Sequence, residues 1–208
     1  MELLIATTNS GKLAEIQAAF KDLRVEIISL VDLGTWPEVV EDGVTFEENA
    51  LKKARTLAHF SGRVTLADDS GLVVDALGGA PGVLSARYSG QEGDDARNNE
   101  KLLNALADVP DHQRGARFVC VLVLCAPGSI GRREWIFREE CEGRIAHALK
   151  GENGFGYDPL FFFPPFGKTF GEIDRETKGT VSHRGKALRK LLGVFPSLFP
   201  LEPLGTKP

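Results

Sequence analysis

Glu2-Leu3-Leu4-Ile5-Ala6 is followed by the polar turn Thr7-Thr8-Asn9-Ser10-Gly11-Lys12 and by Leu13, Ile16 and Phe20 at three- and four-residue spacing. This opening stretch reads as buried strand, loop and helix. The alternation continues outward from it. Val25 to Ser29 is a second strand, and a loop runs through Trp36-Pro37 to the acidic stretch Glu38 to Asp42. Thr45-Phe46-Glu47-Glu48 matches a capping box that opens a helix of Ala, Leu and Lys. Val64 to Ala67 is a strand expected to end in a turn at Asp68-Asp69-Ser70-Gly71, with Leu72 to Asp75 continuing it beyond. Gly78 to Gly82 is a loop, and Asp94 to Leu106 is helical. The apolar strand Ala116 to Ala126 takes Arg133 to Cys141 as its partner, in a hairpin turned by Pro127-Gly128-Ser129. A second glycine-rich loop spans Gly151 to Gly156, and the last helix follows Ser182-His183-Arg184-Gly185-Lys186. Strands alternating with helices, plus a hairpin, predict an α/β fold with a mixed sheet, in one domain over residues 1–195 with a proline-rich tail at 196–208.

Composition narrows what such a fold can do. With 42% hydrophobic and 26% charged residues in 208, the chain has the apolar side chains for a core and too little charge for a disordered segment. Its longest apolar run, Phe118 to Ala126, is far short of the roughly 20 residues a membrane-spanning helix needs. The N-terminus has no basic segment or small-residue cleavage site ahead of its first turn, so the expectation is a cytoplasmic protein without a membrane partner. Three cysteines, none in a C-x-x-C pair, support neither a disulfide framework nor a zinc site; Cys120 and Cys125 are expected in the core. The 25 Lys and Arg form no cluster and are outnumbered by 29 Asp and Glu, which argues against long nucleic acid. A phosphate partner should therefore be small.

Four constellations could carry chemistry. Thr7 to Lys12 lies where a strand gives way to a helix, so free backbone N–H groups and the helix dipole favour an anion. It is not a Walker loop, because Ala6 stands where that pattern needs Gly and Leu13 where it needs Ser or Thr; it reads also as a plain N-cap with a solvated lysine. On the next helix, Lys53 falls on the apolar stripe of Phe46, Ala50, Ala54 and Leu57, either snorkelling to the edge or aimed into a cleft as a point charge for phosphate. Asp68-Asp69-Ser70-Gly71 sits at the C-terminal end of a strand, where open α/β sheets place ligands; one of its carboxylates, with Glu38, Glu41 and Asp42, could build an oxygen-lined Mg²⁺ site. The alternative is a turn capped by aspartate. Last, Gly154-Phe155-Gly156-Tyr157-Asp158-Pro159, with Lys178, Ser182, His183 and Arg184, combines a stacking face with hydrogen-bond donors, which is what reading a nucleobase requires.

Taken in order, Thr7 to Lys12, Thr45 to Ala50, Ala67 to Leu72, Gly79 to Gly82 with Ser85 to Tyr88, Phe155 to Pro159 and Ser182 to Gly185 resemble the motifs of the inosine triphosphate pyrophosphatase family, over about Leu3 to Leu192. Leu84 stands where that family often has an aromatic. The resemblance implies an elongated mixed β-sheet with flanking helices, two lobes with the active site in the cleft between them, and a homodimer. It implies hydrolysis of a deaminated purine nucleoside triphosphate (ITP, dITP or XTP) to the monophosphate and pyrophosphate with Mg²⁺. By position, Thr7, Thr8, Asn9, Ser10, Gly11, Lys12 and the catalytic Lys53 would hold the phosphates, and Ser70 would contact the substrate; Glu41 and Asp69 would bind the metal, and Asp69 would be the general base. Phe155 would stack on the base, Gly156, Tyr157 and Asp158 would line its pocket, and Lys178, His183 and Arg184 would contact the purine. Hydrogen-bond polarity fits this casting: a 6-oxo purine presents an acceptor where adenine presents a donor, so a buried donor such as Arg184 would be left unpaired by adenine. The alternatives are a pyrophosphatase for pyrimidine or other modified nucleotides and a nucleotide-binding sensor without turnover.

Overall fold

The computed structural model describes residues 1–91, 93–128 and 133–199. In chain order it holds β1 (Glu2–Ala6), α1 (Ser10–Phe20), β2 (Glu26–Ser29), α2 (Leu30–Leu33), α3 (Phe46–Ser61), β3 (Val64–Val74), α4 (Asp95–Ala105), β4 (Gly115–Ala126), β5 (Arg133–Ile145), β6 (Phe161–Phe163), β7 (Lys168–Thr169), α5 (Arg175–Val181) and α6 (His183–Leu198). Among the described residues the strands form one seven-stranded sheet in the order β2-β1-β3-β4-β5-β6-β7. β1 runs parallel to β2 and β3, and every later pairing is antiparallel, so the sheet is mixed as the sequence predicts. None of the described helices is long and apolar enough to cross a membrane.

Alternation along the strands sorts the core. Leu3 and Ile5 of β1 face a layer of α1 and α6, packing with Ile16, Phe20, Leu188 and Leu191, while Leu4 and Ala6 face α3 through Ala50, Ala54 and Leu57. A third cluster, built on Leu72, Val74, Leu102, Phe118, Phe161 and Phe170, lies further along the same long strands. β3 and β4 thus carry Leu66 and Leu122 in one core and Leu72 and Phe118 in another. All three cysteines are buried, Cys120 and Cys125 in the cores flanking β4.

Local chemistry explains where the elements begin. Asn9 is the N-cap of α1, its side chain accepting from Lys12 N at 2.9 Å. Thr45 caps α3 by accepting from Glu48 N at 3.1 Å, but Glu48 Oε2 reaches Val44 N at 2.7 Å instead of closing the box on Thr45. Asp94 caps α4, which starts one residue later than the sequence suggests.

Three expectations need correction. The turn expected at Asp68-Asp69-Ser70-Gly71 does not exist: β3 is one strand of 11 residues, paired without a break with β4 from Thr65↔Cys125 to Val74↔Ala116. Gly71 serves close approach, since a Cβ there would lie 2.3 Å from Ser85 Oγ and 2.7 Å from Gly82 O. The last helix does not follow the Ser182 to Lys186 motif but starts inside it, with Ser182 as N-cap accepting from Gly185 N at 3.1 Å. It also runs past Phe195 to Leu198 although Pro196 gives up one i→i−4 hydrogen bond there, and Phe195 is anchored edge-on to Phe20 at 5.2 Å. The hairpin of β4 and β5 is present, from Gly115↔Arg144 to Ala126↔Arg133; Ser129 of its turn and residues 200–208 of the tail lie outside the described residues.

Candidate active site

Strand periodicity sends Asp68 and Asp69 to opposite faces of β3, and each gathers its own partners. Asp68 is buried, with Oδ1 2.6 Å from Lys12 Nζ and accepting from Ser70 Oγ at 2.7 Å, and with Oδ2 accepting from Arg184 Nε at 2.7 Å. Burial pushes its carboxyl up, but Arg184 and Lys12 outweigh that and hold its pKa well below the ordinary aspartate value. Lys12 is therefore not the solvated lysine of a simple cap, although Asn9 does cap.

Asp69 presents the opposite case. Its Oδ1 accepts from Lys53 Nζ at 3.2 Å, while Oδ2 is buried with no hydrogen-bond partner among the described residues. Burial raises its pKa, Lys53 and Lys12 pull against that, and Glu41 adds to the rise. Lys53 does not snorkel; it is buried on the inner face of α3 and donates to Glu41 Oε2 at 3.1 Å, Asp68 O at 2.9 Å and Asp69 Oδ1 at 3.2 Å. Burial alone would lower the Lys53 pKa, but Asp69, Glu41 and Asp68 raise it, so the ammonium stays charged. Of the acidic loop, Glu41 joins this cluster. Asp42 turns outward to Lys52 at 2.5 Å and Glu38 is exposed, so neither joins it.

On the Asp68 side the network extends into a cavity lined by Asn9, Lys12, Ser70, Phe155, Gly156, Tyr157, Asp158, Lys178, His183 and Arg184, among others. Ser182 and the α6 N-terminus place His183 and Arg184 there, and α5 supplies Lys178. Arg184 spends three donors on protein: Nε on Asp68, one terminal nitrogen on Glu15 Oε2 at 2.6 Å and the other on Ser70 Oγ at 2.7 Å. Lys178 donates to Asp158 Oδ2 at 2.6 Å and to Glu15 Oε1 at 3.1 Å. Both cations also lie over the Phe155 ring, Lys178 at 4.7 Å and Arg184 at 5.5 Å from its centroid. Burial pushes the Asp158 pKa up, more than Lys178 pulls it down. The His183 ring stacks on Phe118 at 4.7 Å with Nδ1 buried and, among the described residues, unpartnered; burial, then Arg184 and Lys178, keep it neutral.

The loop of Thr7 to Lys12 borders this cavity, with Asn9 and Lys12 in its wall and Thr8 and Ser10 exposed. Thr7 Oγ1 accepts from Asn9 N at 3.1 Å. Gly11 is needed because a Cβ there would fall 2.4 Å from Phe155 Cδ1. Tyr157 differs from the stacking partner its motif suggests: its hydroxyl donates to Ser85 O at 2.9 Å and its ring belongs to the third core cluster.

Glu15 escaped sequence reasoning altogether. It bridges Lys178 and Arg184, and those two cations hold its pKa below the ordinary value against the upward push of burial. The signal was available in part: Glu15 follows Lys12 by three residues, which places both on one side of α1. Ser85, first residue of the Ser85 to Tyr88 motif, is a further wall residue, and so is Asp95, which no motif had singled out.

This is an open mixed-sheet α/β protein with buried lysines and carboxylates beside a cation-rich aromatic cavity, an arrangement whose chemistry suits a phosphorylated aromatic ligand. Comparison makes the class specific: the sequence model of the Ham1 family matches residues 3–194, and the chain belongs to that family. It is 48% identical over 200 residues to a dITP/XTP pyrophosphatase of Desulforamulus reducens, covering 96% of this chain and 98% of that one. It is 55% identical over 193 residues to a dITP/XTP pyrophosphatase of Syntrophobacter fumaroxidans, covering 93% and 81%. Among solved structures, a HAM1 protein from Coxiella burnetii superposes with a TM-score of 0.85 at 42% identity, covering 95% of this chain and 99% of that one.

Proposed function

We propose that the chain hydrolyses deaminated purine nucleoside triphosphates, ITP, dITP and XTP, to the monophosphate and pyrophosphate; its relatives are named dITP/XTP pyrophosphatases, which supports the last two, and ITP shares their 6-oxo purine edge. The observation that carries this reading is a division of labour across one strand: β3 offers Asp69, with an unpartnered oxygen, to Lys53 and Glu41 on one face, and anchors a base-sized aromatic pocket through Asp68 on the other.

Glu41 and Asp69 fit a divalent cation. They are hard oxygen donors, and the buried Asp69 Oδ2 lacks a partner among the described residues. Among the described residues no group of three or more Asp, Glu, His or Cys gathers around one point, so substrate oxygens and water would complete the shell, as Mg²⁺ commonly accepts. Bound there, Mg²⁺ would neutralise phosphate oxygens and acidify water. Charge supports the same reading: in the linked network five carboxylates face four cations, which would repel a bare triphosphate. Lys53 and Lys12 supply charge toward the phosphates. Asp69 orients a water toward the α-phosphorus and takes its proton while the bond to the β-phosphate oxygen breaks and pyrophosphate leaves. In the pocket, Phe155 offers the stacking face. The N–H groups that Arg184 and Lys178 do not spend on protein favour a 6-oxo acceptor over the 6-amino donor of adenine.

The reading includes a cytoplasmic enzyme acting on free nucleotides rather than nucleic acid, and a homodimer. For the dimer, a groove at the start of α3 carries the exposed apolar residues Val44 and Leu84 beside Arg138, a surface suited to a second copy. Sedimentation of Leu84→Asp should show monomer where the unaltered chain is dimeric.

The central test is pyrophosphate release from ITP, dITP, XTP, GTP, ATP and UTP, with Mg²⁺ and with EDTA. Metal-dependent release confined to ITP, dITP and XTP is expected. A preference for another base would overturn the pocket assignment, and binding without release would make the protein a sensor.

A further inference from the structure

The geometry points to Asp95 and Asn99 of α4 as a positioning pair that fixes the Phe155 stacking face by clamping the next residue, Gly156, from both sides. Asp95 Oδ2 accepts from Gly156 N at 2.7 Å, and Asn99 Nδ2 donates to Gly156 O at 2.9 Å. The two residues are four apart, so one face of one helix holds both polar groups of a single residue. Gly156 has a φ of +61°, a conformation that glycine adopts freely and that, unheld, would leave the loop free to reorient.

Neither side chain shows another hydrogen bond among the described residues. Asn99 is only 5% exposed, and its Oδ1 is buried without a partner among the described residues. An unpaired buried acceptor is unfavourable, so a residue serving packing alone would be apolar here; the amide is explained by the donor that Gly156 O requires. Asp95 is exposed and Asp94 already caps α4, so capping does not call for a second aspartate. Phe155 N is held independently by Asp158 Oδ2 at 2.9 Å, so the ring hangs from a backbone fixed on both sides. A ring held this way binds a flat base without first losing loop freedom, and binding then costs less in ordering.

This inference rests on the base-stacking role proposed above, and its test separates the two. In the ligand-free protein, amide hydrogen exchange at Gly156 should speed up about tenfold in Asp95→Ala and return near the unaltered rate in Asp95→Asn, whose amide oxygen can still accept. Steady-state kinetics use whichever triphosphate the unaltered protein hydrolyses, so a wrong substrate assignment shows in that protein alone. KM should rise about tenfold in Asp95→Ala and in Asn99→Leu while kcat changes less than about twofold, with KM restored in Asp95→Asn. Unchanged exchange in Asp95→Ala would overturn the clamp whatever the substrate. So would a KM that rises equally in Asp95→Ala and Asp95→Asn, which would make the charge, not the hydrogen bond, the operative feature.

Discussion

Asp68 and Asp69 are neighbours in sequence, both buried, yet one is saturated and the other is not. Asp68 meets Lys12, Arg184 and Ser70, and its environment favours the ionised form strongly. Asp69 meets Lys53 with one oxygen and, among the described residues, nothing with the other, and its environment disfavours the ionised form. The difference separates two uses of a buried charge. A fully paired carboxylate is a strut: it fixes the cations around it and has no valence left for a ligand. A carboxylate with an open oxygen is less comfortable in the folded state and available for chemistry.

The largest expected effects come from breaking each side of that contrast. Asp69→Asn should fold normally and lose about 10²- to 10⁴-fold in kcat with Mg²⁺ present, because the proton acceptor is gone while the packing is kept. A kcat like that of the unaltered protein would remove Asp69 from the chemistry. Asp68→Asn should act mainly on folding: it leaves Arg184 and Lys12 short of a buried counter-charge, a loss of about 3–5 kcal/mol readable by urea denaturation. If the two substitutions cost equal stability, the strut and the open carboxylate are not different in kind.

Much of this contrast could be read in advance, and some could not. The sequence already allowed only one of the two aspartates to the metal site, and the capping and apolar patterns located α1, α3 and the β4–β5 hairpin. What failed failed for physical reasons. Asp-Asp-Ser-Gly has turn composition, and local propensity has no knowledge of β4, whose backbone pairs with every residue from Thr65 to Val74. Glu15 lay in an unremarkable helix, and its importance comes from Lys178 and Arg184, more than 160 residues away. Glu38 and Asp42 had the right chemistry, but one is exposed and the other faces Lys52; residue type alone left the three acids equivalent, the family resemblance picked Glu41, and the fold sets it against Lys53.

Glu15 allows the strut side to be tested with pH. Its folded pKa is lowered, so its contribution is fully present above the ordinary glutamate value of 4.5 and is lost as pH falls through the lower folded value. Glu15→Gln should therefore be about 2 kcal/mol less stable than the unaltered chain at neutral pH, and the gap should close in acid below 4.5. A gap independent of pH would mean that the Glu15 charge is not what holds Lys178 and Arg184. Arg184→Lys keeps that charge and removes the planar fork, so it should reduce the ITP-over-ATP ratio of kcat/KM about tenfold. An unchanged ratio would relieve Arg184 of base selection.

The smallest effect sharpens the boundary between scaffold and site. Gly11 lies in the first turn of α1 with helical backbone, where alanine would ordinarily add about 0.5–1 kcal/mol. Its Cβ, however, would fall 2.4 Å from Phe155 Cδ1, and the ring must shift to admit it. The two terms oppose each other in stability but not in function, since a displaced ring is a misplaced stacking face. Gly11→Ala should thus leave the urea midpoint nearly unchanged while raising KM about threefold, a change of less than 1 kcal/mol. A lower midpoint with an unchanged KM would instead place the Gly11–Phe155 contact among the struts, on the Asp68 side of the comparison.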